Sequence, residues 1–274
     1  MKPAVKEFES IKKLYRPVQP TILPSFKIVS YREILPDPTL RNVIYCYWQL
    51  KTLEPLAHQF NYRVVADGCI DIFFNNQNIS ESFIMGFCKK YTEFPLENTF
   101  DYVGIRFFPS MVPQLFEVNA WELSDKAENL ELVLPKIAKR LTESISPNMD
   151  LNLVAIHLDR IIGNVFSAAE FDKDYRLYKA LHLILKNWGT IETESELDIG
   201  ISPRQLRRIF NHYIGTTPKT FSKVVRFQNI LNAKPSQQNL TQNKLFYDVG
   251  FYDQSHFIKD FKNFYGVTPT RAFR

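Results

Sequence analysis

Three arginines, Arg204, Arg207 and Arg208, stand in a segment whose apolar residues Leu206, Ile209, Phe210 and Tyr213 recur at i, i+3, i+4 and i+7. That spacing gathers the apolar side chains on one face of an α-helix, so the guanidinium groups must stand on the other. A guanidinium carried on a helix face can bond O6 and N7 of guanine with two parallel hydrogen bonds. Farther along, Gln254, Ser255 and Lys259 take the matching outer positions beside Phe257, Phe261 and Phe264, and the Gln254 carboxamide complements N6 and N7 of adenine. These six residues are the expected base contacts. Around them Gln205, Asn211, Lys219, Lys223, Arg226, His256, Lys262 and Arg271 are expected to meet phosphate oxygens, which fix register without reading sequence.

The elements that must position these groups come as a repeat. Gly215-Thr216-Thr217-Pro218 closes the first segment and Gly266-Val267-Thr268-Pro269 the second, and a turn glycine, Gly200 or Gly250, precedes each. Glycine tolerates the positive φ of a tight turn between helices. Ser202-Pro203, Thr217-Pro218 and Thr268-Pro269 each offer a hydroxyl N-cap followed by proline at the first helical position, where the missing N–H costs nothing. The second copy is one residue longer between its glycines, and the extra residue belongs in the turn near Tyr252-Asp253. Between the units, Pro218–Ala233 carries Phe221, Val224, Val225 and Leu231 at helical spacing and ends before Pro235. It is expected to be a rigid connecting helix. Two helix-turn-helix units joined in this way can lay their second helices into successive major grooves, about 34 Å apart.

SPRQLRRIF, GTTPKTF and VGFYDQSHFIKDFKNFYGVTPTRAF together closely resemble the DNA-binding domain of AraC/XylS-type transcriptional regulators, over about residues 175–274. The resemblance implies a sequence-specific regulator of transcription whose partner is double-stranded DNA. It departs from the family at Glu196 and Phe246, four positions before each turn glycine, where family members carry a small residue. VADGCIDIFFN at Val65–Asn75 and VGIRFFPS at Val103–Ser110 resemble the β-rich N-terminal domain of a poorly characterised subset of the same regulators. That likeness implies control by a small effector or by homodimerisation, and leaves RNA polymerase open as a further partner.

Charge is divided in the same sense. Residues 201–274 hold 12 Lys and Arg against 3 Asp and Glu, while the rest of the chain holds 22 against 26. A whole-chain charge of +5 thus conceals a strongly basic end, the electrostatic footprint of a phosphate-binding module. The first residues, MKPAVKEFESIKKLYRP, lack the apolar block of a signal peptide, and no apolar run approaches the ~18 residues of a membrane span. A cytoplasmic address is expected. Cys46, Cys69 and Cys88 form neither a disulfide framework nor a zinc knuckle, and the five histidines have no metal-ligand spacing. No metal or other cofactor is expected. The alternative is an enzyme with its chemistry in the N-terminal part and a DNA-targeting end, but no nucleophile elbow, phosphate loop or deaminase pattern stands in the sequence.

The organisation expected is α+β. Residues 1–24 read as a poorly ordered or peripheral arm, 25–170 as a β-rich sandwich or barrel with flanking helices, and 174–274 as an all-α DNA-binding domain. Strands are expected at Asn42–Lys51, Tyr62–Val65, Cys69–Phe74, Ser82–Phe87 and Asp101–Phe108, from short Ile, Val, Phe and Tyr runs between polar turns. Helices are expected at Met111–Val118, Glu131–Glu143 and Leu151–Ala168, and on the stripe from Leu177 to Trp188 that Gly189 stops. Asp67, Asp71 and Arg106 are charges set within or beside apolar strands, where an unpaired charge is costly. They are candidates either to face an effector or to pair with one another.

Overall fold

The structure, a computed structural model, describes residues 5–20, 28–171, 175–192, 197, 199–235 and 253–273. Its centre is a six-stranded antiparallel sheet in the order β1-β2-β7-β4-β5-β8. In chain order these strands are β1 (Val29–Ile34), β2 (Ile44–Thr52), β4 (Ile70–Asn75), β5 (Asn78–Met85), β7 (Asp101–Phe107) and β8 (Ala127–Asn129). A separate two-stranded ribbon pairs β3 (Phe60–Val64) with β6 (Thr92–Leu96). Five strands fall where the sequence puts them, to within a few residues. Strands β1, β6 and β8 are additional to those expected, because their charged residues and proline interrupt the apolar alternation.

Because side chains alternate across a strand, the sheet has two apolar faces with different partners. One face carries Ile70, Ile72, Phe74, Val103, Ile105 and Phe107, all buried in the main core. The other carries Cys46, Trp48 and Leu50, which form a second cluster with Tyr62 and Phe100 under the ribbon. In that face Gly104 pairs with Trp48 on one side and Phe73 on the other. The Trp48 indole occupies the space that a Cβ on Gly104 would need. Glycine in the central strand is what lets the ring lie flat on the sheet.

Helices cover the first face. They are α2 (Met111–Phe116), α3 (Ala120–Leu123), α4 (Leu130–Val133), α5 (Pro135–Ser144) and α6 (Leu151–Ala168). The expected Glu131–Glu143 helix is split in two, because Pro135 starts a new helix at its N1 position. Then come α7 (Tyr175–Lys186), α8 (Pro203–Ile214), α9 (Pro218–Ala233), α10 (Gln254–Tyr265) and the short α11 (Pro269–Ala272). No described helix is long and apolar enough to cross a membrane.

Of the expected N-terminal arm, the segment 5–20 is described. It forms a helix, α1 (Val5–Leu14), which packs on α7, and Ile11 and Tyr15 are buried. The Tyr15 hydroxyl donates to the Asp67 carbonyl, and Gln19 donates to Val65 O and Asp67 Oδ2 at 2.9 and 2.8 Å. Polar composition disguised a segment that ties the sheet to the C-terminal helices. The apolar core accordingly runs without a break from Ile11 through the sheet to Phe261 and Tyr265.

Candidate nucleic-acid interface

The first of the two expected reading helices, α8, starts with a complete capping box. Gln205 N–H donates to Ser202 Oγ at 3.3 Å, and Ser202 N–H donates to Gln205 Oε1 at 3.1 Å. Two otherwise orphaned N–H groups are thereby satisfied, and Pro203 occupies N1. The helix ends on Gly215 at φ +88°, the left-handed C-cap. The second, α10, is capped by Asp253, whose carboxylate accepts from His256 N–H at 2.8 Å, and it ends on Gly266 at φ +94°. The repeated glycines are thus helix stops in both copies.

On α8 the apolar stripe buries Leu206, Phe210 and Ile214, and on α10 it buries Phe257, Phe261, Phe264 and Tyr265. The opposite faces are open. Arg204, Arg207, Arg208, Gln254, Ser255 and Lys259 are all exposed, as are Gln205, Lys219, Lys262 and Arg271. Arg207 Nε donates to Pro203 O of its own helix at 3.3 Å. Burial of the stripes leaves these side chains facing solvent, the six expected base contacts within the first two turns of α8 and α10 and Lys262 in the last turn of α10.

Three other expected phosphate contacts are already engaged within the protein. Lys223 Nζ sits 3.0 Å from Asp260 Oδ2, tying α9 to α10, and His256 Nε2 lies 3.3 Å from the same oxygen. Arg226 donates from Nη2 and Nε to Gly189 O at 2.7 and 3.2 Å, tying α9 to the end of α7. Asn211 is half-buried at the α8 flank. The connecting helix also sets Phe221 edge-on to Phe210 of α8 at 6.0 Å and Phe227 edge-on to Phe261 of α10 at 5.3 Å. So α9, expected as a rigid connector, is clamped by aromatic rings to one reader at each end. Gly250, Tyr252, and the departures at Glu196 and Phe246 lie outside the described residues.

The sheet-bearing part grips both readers at their C-terminal ends, a feature with no signal in the sequence. Gly215 sits against α3, its carbonyl accepting from the Ser124 hydroxyl, and a Cβ there would come within 2.8 Å of Ala120 O. At the end of α10 the carbonyls of Asn263 and Phe264 accept from the backbone N–H groups of Tyr91 and Ala66 at 3.1 and 3.2 Å. Those are last-turn carbonyls that have no partner within their own helix. Gln228 of α9 completes the bridge by donating to Ala66 O at 2.8 Å and accepting from Val18 N–H at 2.8 Å.

Asp67, Asp71 and Arg106 do come together. Arg106, 2% exposed, donates from Nη2 to Asp71 Oδ2 at 3.0 Å and holds Nε 3.4 Å from Asp67 Oδ2. Trp48 Nε1 donates to Asp71 Oδ2 at 2.9 Å. Asp71 and Arg106 also line a cavity under the ribbon, so the two sequence alternatives are not exclusive. Burial pushes the Asp71 carboxyl up to about 6, with Arg106 pulling against that rise and Asp67 adding to it. The folded chain then holds a proton on Asp71 in a range where the unfolded chain, at 3.8, has released it. Stability drawn from this group therefore falls as pH rises from about 4 to about 6 and is level above. In urea unfolding, Asp71→Asn should gain on the parent across that window and hold a constant difference from about pH 6.5 to 8. A difference that stays flat from pH 4 to 8 would contradict the assignment.

The three thiols are buried and free; burial raises all of them, Cys88 to about 12. They act as small apolar core residues.

Comparison with known proteins gives two separate family matches. Residues 198–274 match a family described as a helix-turn-helix domain, and residues 32–129 match a domain of unknown function, DUF6597. An uncharacterized HTH-type transcriptional regulator of Haemophilus influenzae is 37% identical over 103 residues, covering 36% of this chain and 34% of the relative. The match therefore spans about a third of that relative's length. Two crystal structures of ToxT from Vibrio cholerae align with a TM-score of 0.42 at 12% identity, each covering 90% of this chain and 97% and 98% of theirs.

Proposed function

We propose that this chain, which carries an AraC-type helix-turn-helix domain at its C-terminus, is a transcriptional regulator that reads two successive major grooves. Arg204, Arg207 and Arg208 on α8, and Gln254, Ser255 and Lys259 on α10, are the base readers. Lys219, Lys262 and Arg271, with Gln205 and Asn211 beside them, meet the phosphates. Lys223 and Arg226 serve instead to hold α9 in place. The observation that carries this reading is the paired geometry: two capped helices, each buried along one stripe, open along the other and held at its C-terminal end. A helix that enters a groove contacts bases with its N-terminal residues, and those are the residues left free.

Selection of bound sequences from a random duplex pool tests the reading. The expected result is one asymmetric site with two unlike half-sites about one helical turn, ~10 base pairs, apart. Affinity for it should fall steeply between 50 and 200 mM salt, because each neutralised phosphate releases counterions. A pool that returns no enriched sequence would overturn the proposal. The resemblance to effector-controlled regulators, together with the cavity beside Arg106, supports control by a small molecule bound in the sheet-bearing part.

A further inference from the structure

The cavity lies between the six-stranded sheet and the β3–β6 ribbon and has a volume of ≈ 240 Å³. Its floor is two rows of the sheet. Register sets Arg106 beside Asp71 and Asp71 beside Met85, then Gly104 between Trp48 and Phe73 with Phe83 beyond. Its roof is Tyr62 and Val64 of β3 and Phe94, Pro95 and Leu96 of β6. A cavity of about 150 Å³ lined by apolar side chains accommodates benzene, so this one has room for a somewhat larger ring system. Aromatic walls favour a flat one.

The polar atoms narrow the choice further. Asp71 Oδ2 already accepts from Trp48 and Arg106, and Asp71 Oδ1 accepts from Arg106 Nε at 3.3 Å. What is left over is a donor: Arg106 Nη1 is buried and makes no hydrogen bond, with Glu33 Oε1 3.7 Å off. A buried donor without an acceptor is costly, and a ligand oxygen would relieve that cost. An anionic ligand is a poor candidate for the role. One guanidinium already faces the carboxylates of Asp67 and Asp71 with Glu33 nearby, and a further negative charge in a low-dielectric site would be repelled.

The ribbon that roofs the cavity is also what holds α10. Val64 lines the cavity and, two residues on, the Ala66 N–H caps Phe264 O; Thr92 begins β6 and Tyr91 caps Asn263 O. Asn263 Nδ2 donates back to Lys89 O at 3.0 Å. We propose that the cavity binds a neutral, flat molecule of about two fused rings carrying a carbonyl-type acceptor for Arg106, and that its occupancy reaches α10 through the ribbon ends. The second half of this proposal rests on the DNA-reading role of α10; the first half does not.

Calorimetric titration of the full chain at pH 7.5 with three matched bicycles tests the site. Coumarin is neutral with a carbonyl acceptor, coumarin-3-carboxylate adds a negative charge to the same ring system, and indole lacks the acceptor. Coumarin should bind at least tenfold tighter than either of the others. Filling the cavity from the roof with Leu96→Trp, or from the floor with Met85→Trp, should weaken coumarin at least tenfold in a variant that keeps the parent's thermal midpoint. Tighter binding of the carboxylate would overturn the ligand class. Absence of binding by all three, or binding indifferent to both fillings, would overturn the site. On the selected duplex, coumarin should change affinity at least threefold, and that change should vanish when the half-site under α10 is scrambled and persist when the other is. Coumarin binding without any such change overturns the coupling. A chain that binds no duplex overturns the DNA reading and leaves the calorimetry to judge the site alone.

Discussion

Gly215→Ala should lower the thermal midpoint by roughly 10 °C and remove the first reader from register. Two costs combine at this position. The residue sits at φ +88°, where a side chain costs ~1–2 kcal/mol in left-handed helical geometry. Its new Cβ would also stand 2.6 Å from Ser124 Oγ and 2.8 Å from Ala120 O, and overpacking of a tight contact costs ~1–3 kcal/mol. Together they amount to roughly 3 kcal/mol, at ~2–4 °C per kcal/mol for a chain of this size. Gly200 is the control, with φ +77° and nothing within 4 Å of an added Cβ. Gly200→Ala should therefore carry only the backbone part, roughly 3 °C. Scanning calorimetry of the two variants separates conformational strain from close packing. Equal midpoints would show that the α3 contact does not constrain α8.

Arg208→Ala should cost ~1–3 kcal/mol on the selected duplex, about 5- to 150-fold in affinity, and relax preference at one base position. Its side chain is exposed on the open face of α8, so folding should be untouched. Lys219→Ala should instead weaken selected and random duplex alike and flatten the salt dependence by about one unit. Fluorescence titrations of both variants on both duplexes, at several salt concentrations, provide the comparison. Equal losses for Arg208→Ala on the two duplexes would remove it from the base-reading set. Lys223→Ala belongs to neither pattern, because it strips Asp260 of its partner 3.0 Å away and loosens α9 from α10.

How far the sequence reaches differs along the chain for a physical reason. The helices α8 and α10 and the connector α9 between them were legible, because helical periodicity, hydroxyl–proline caps and stop glycines are local signals. The structure puts α9 at Pro218–Ala233 and α6 at Leu151–Ala168, the bounds expected from the sequence. The exposed face of each reader follows from the buried one. The charges at Asp71 and Arg106 stood out in apolar strands, but only strand register makes them neighbours. Trp48, Tyr62, Phe83 and Phe94 carried no mark of a cavity, since aromatic residues in strands read as ordinary core; the one sequence trace was Gly104 between bulky neighbours.

What residue type and spacing determined alone is which side of each helix is apolar and which side carries the arginines, lysines and glutamine proposed to meet DNA. Whether a given cation is free to do so was decided by tertiary contact. Lys223 and Arg226 look like Lys219 in the sequence, yet Asp260 and Gly189 O occupy them. The arm at residues 5–20 looks peripheral, yet Tyr15 and Gln19 bind the loop at Asp67. Periodicity records which side of an element is apolar; it holds no record of which distant backbone carbonyl or carboxylate the fold brings to within 3 Å.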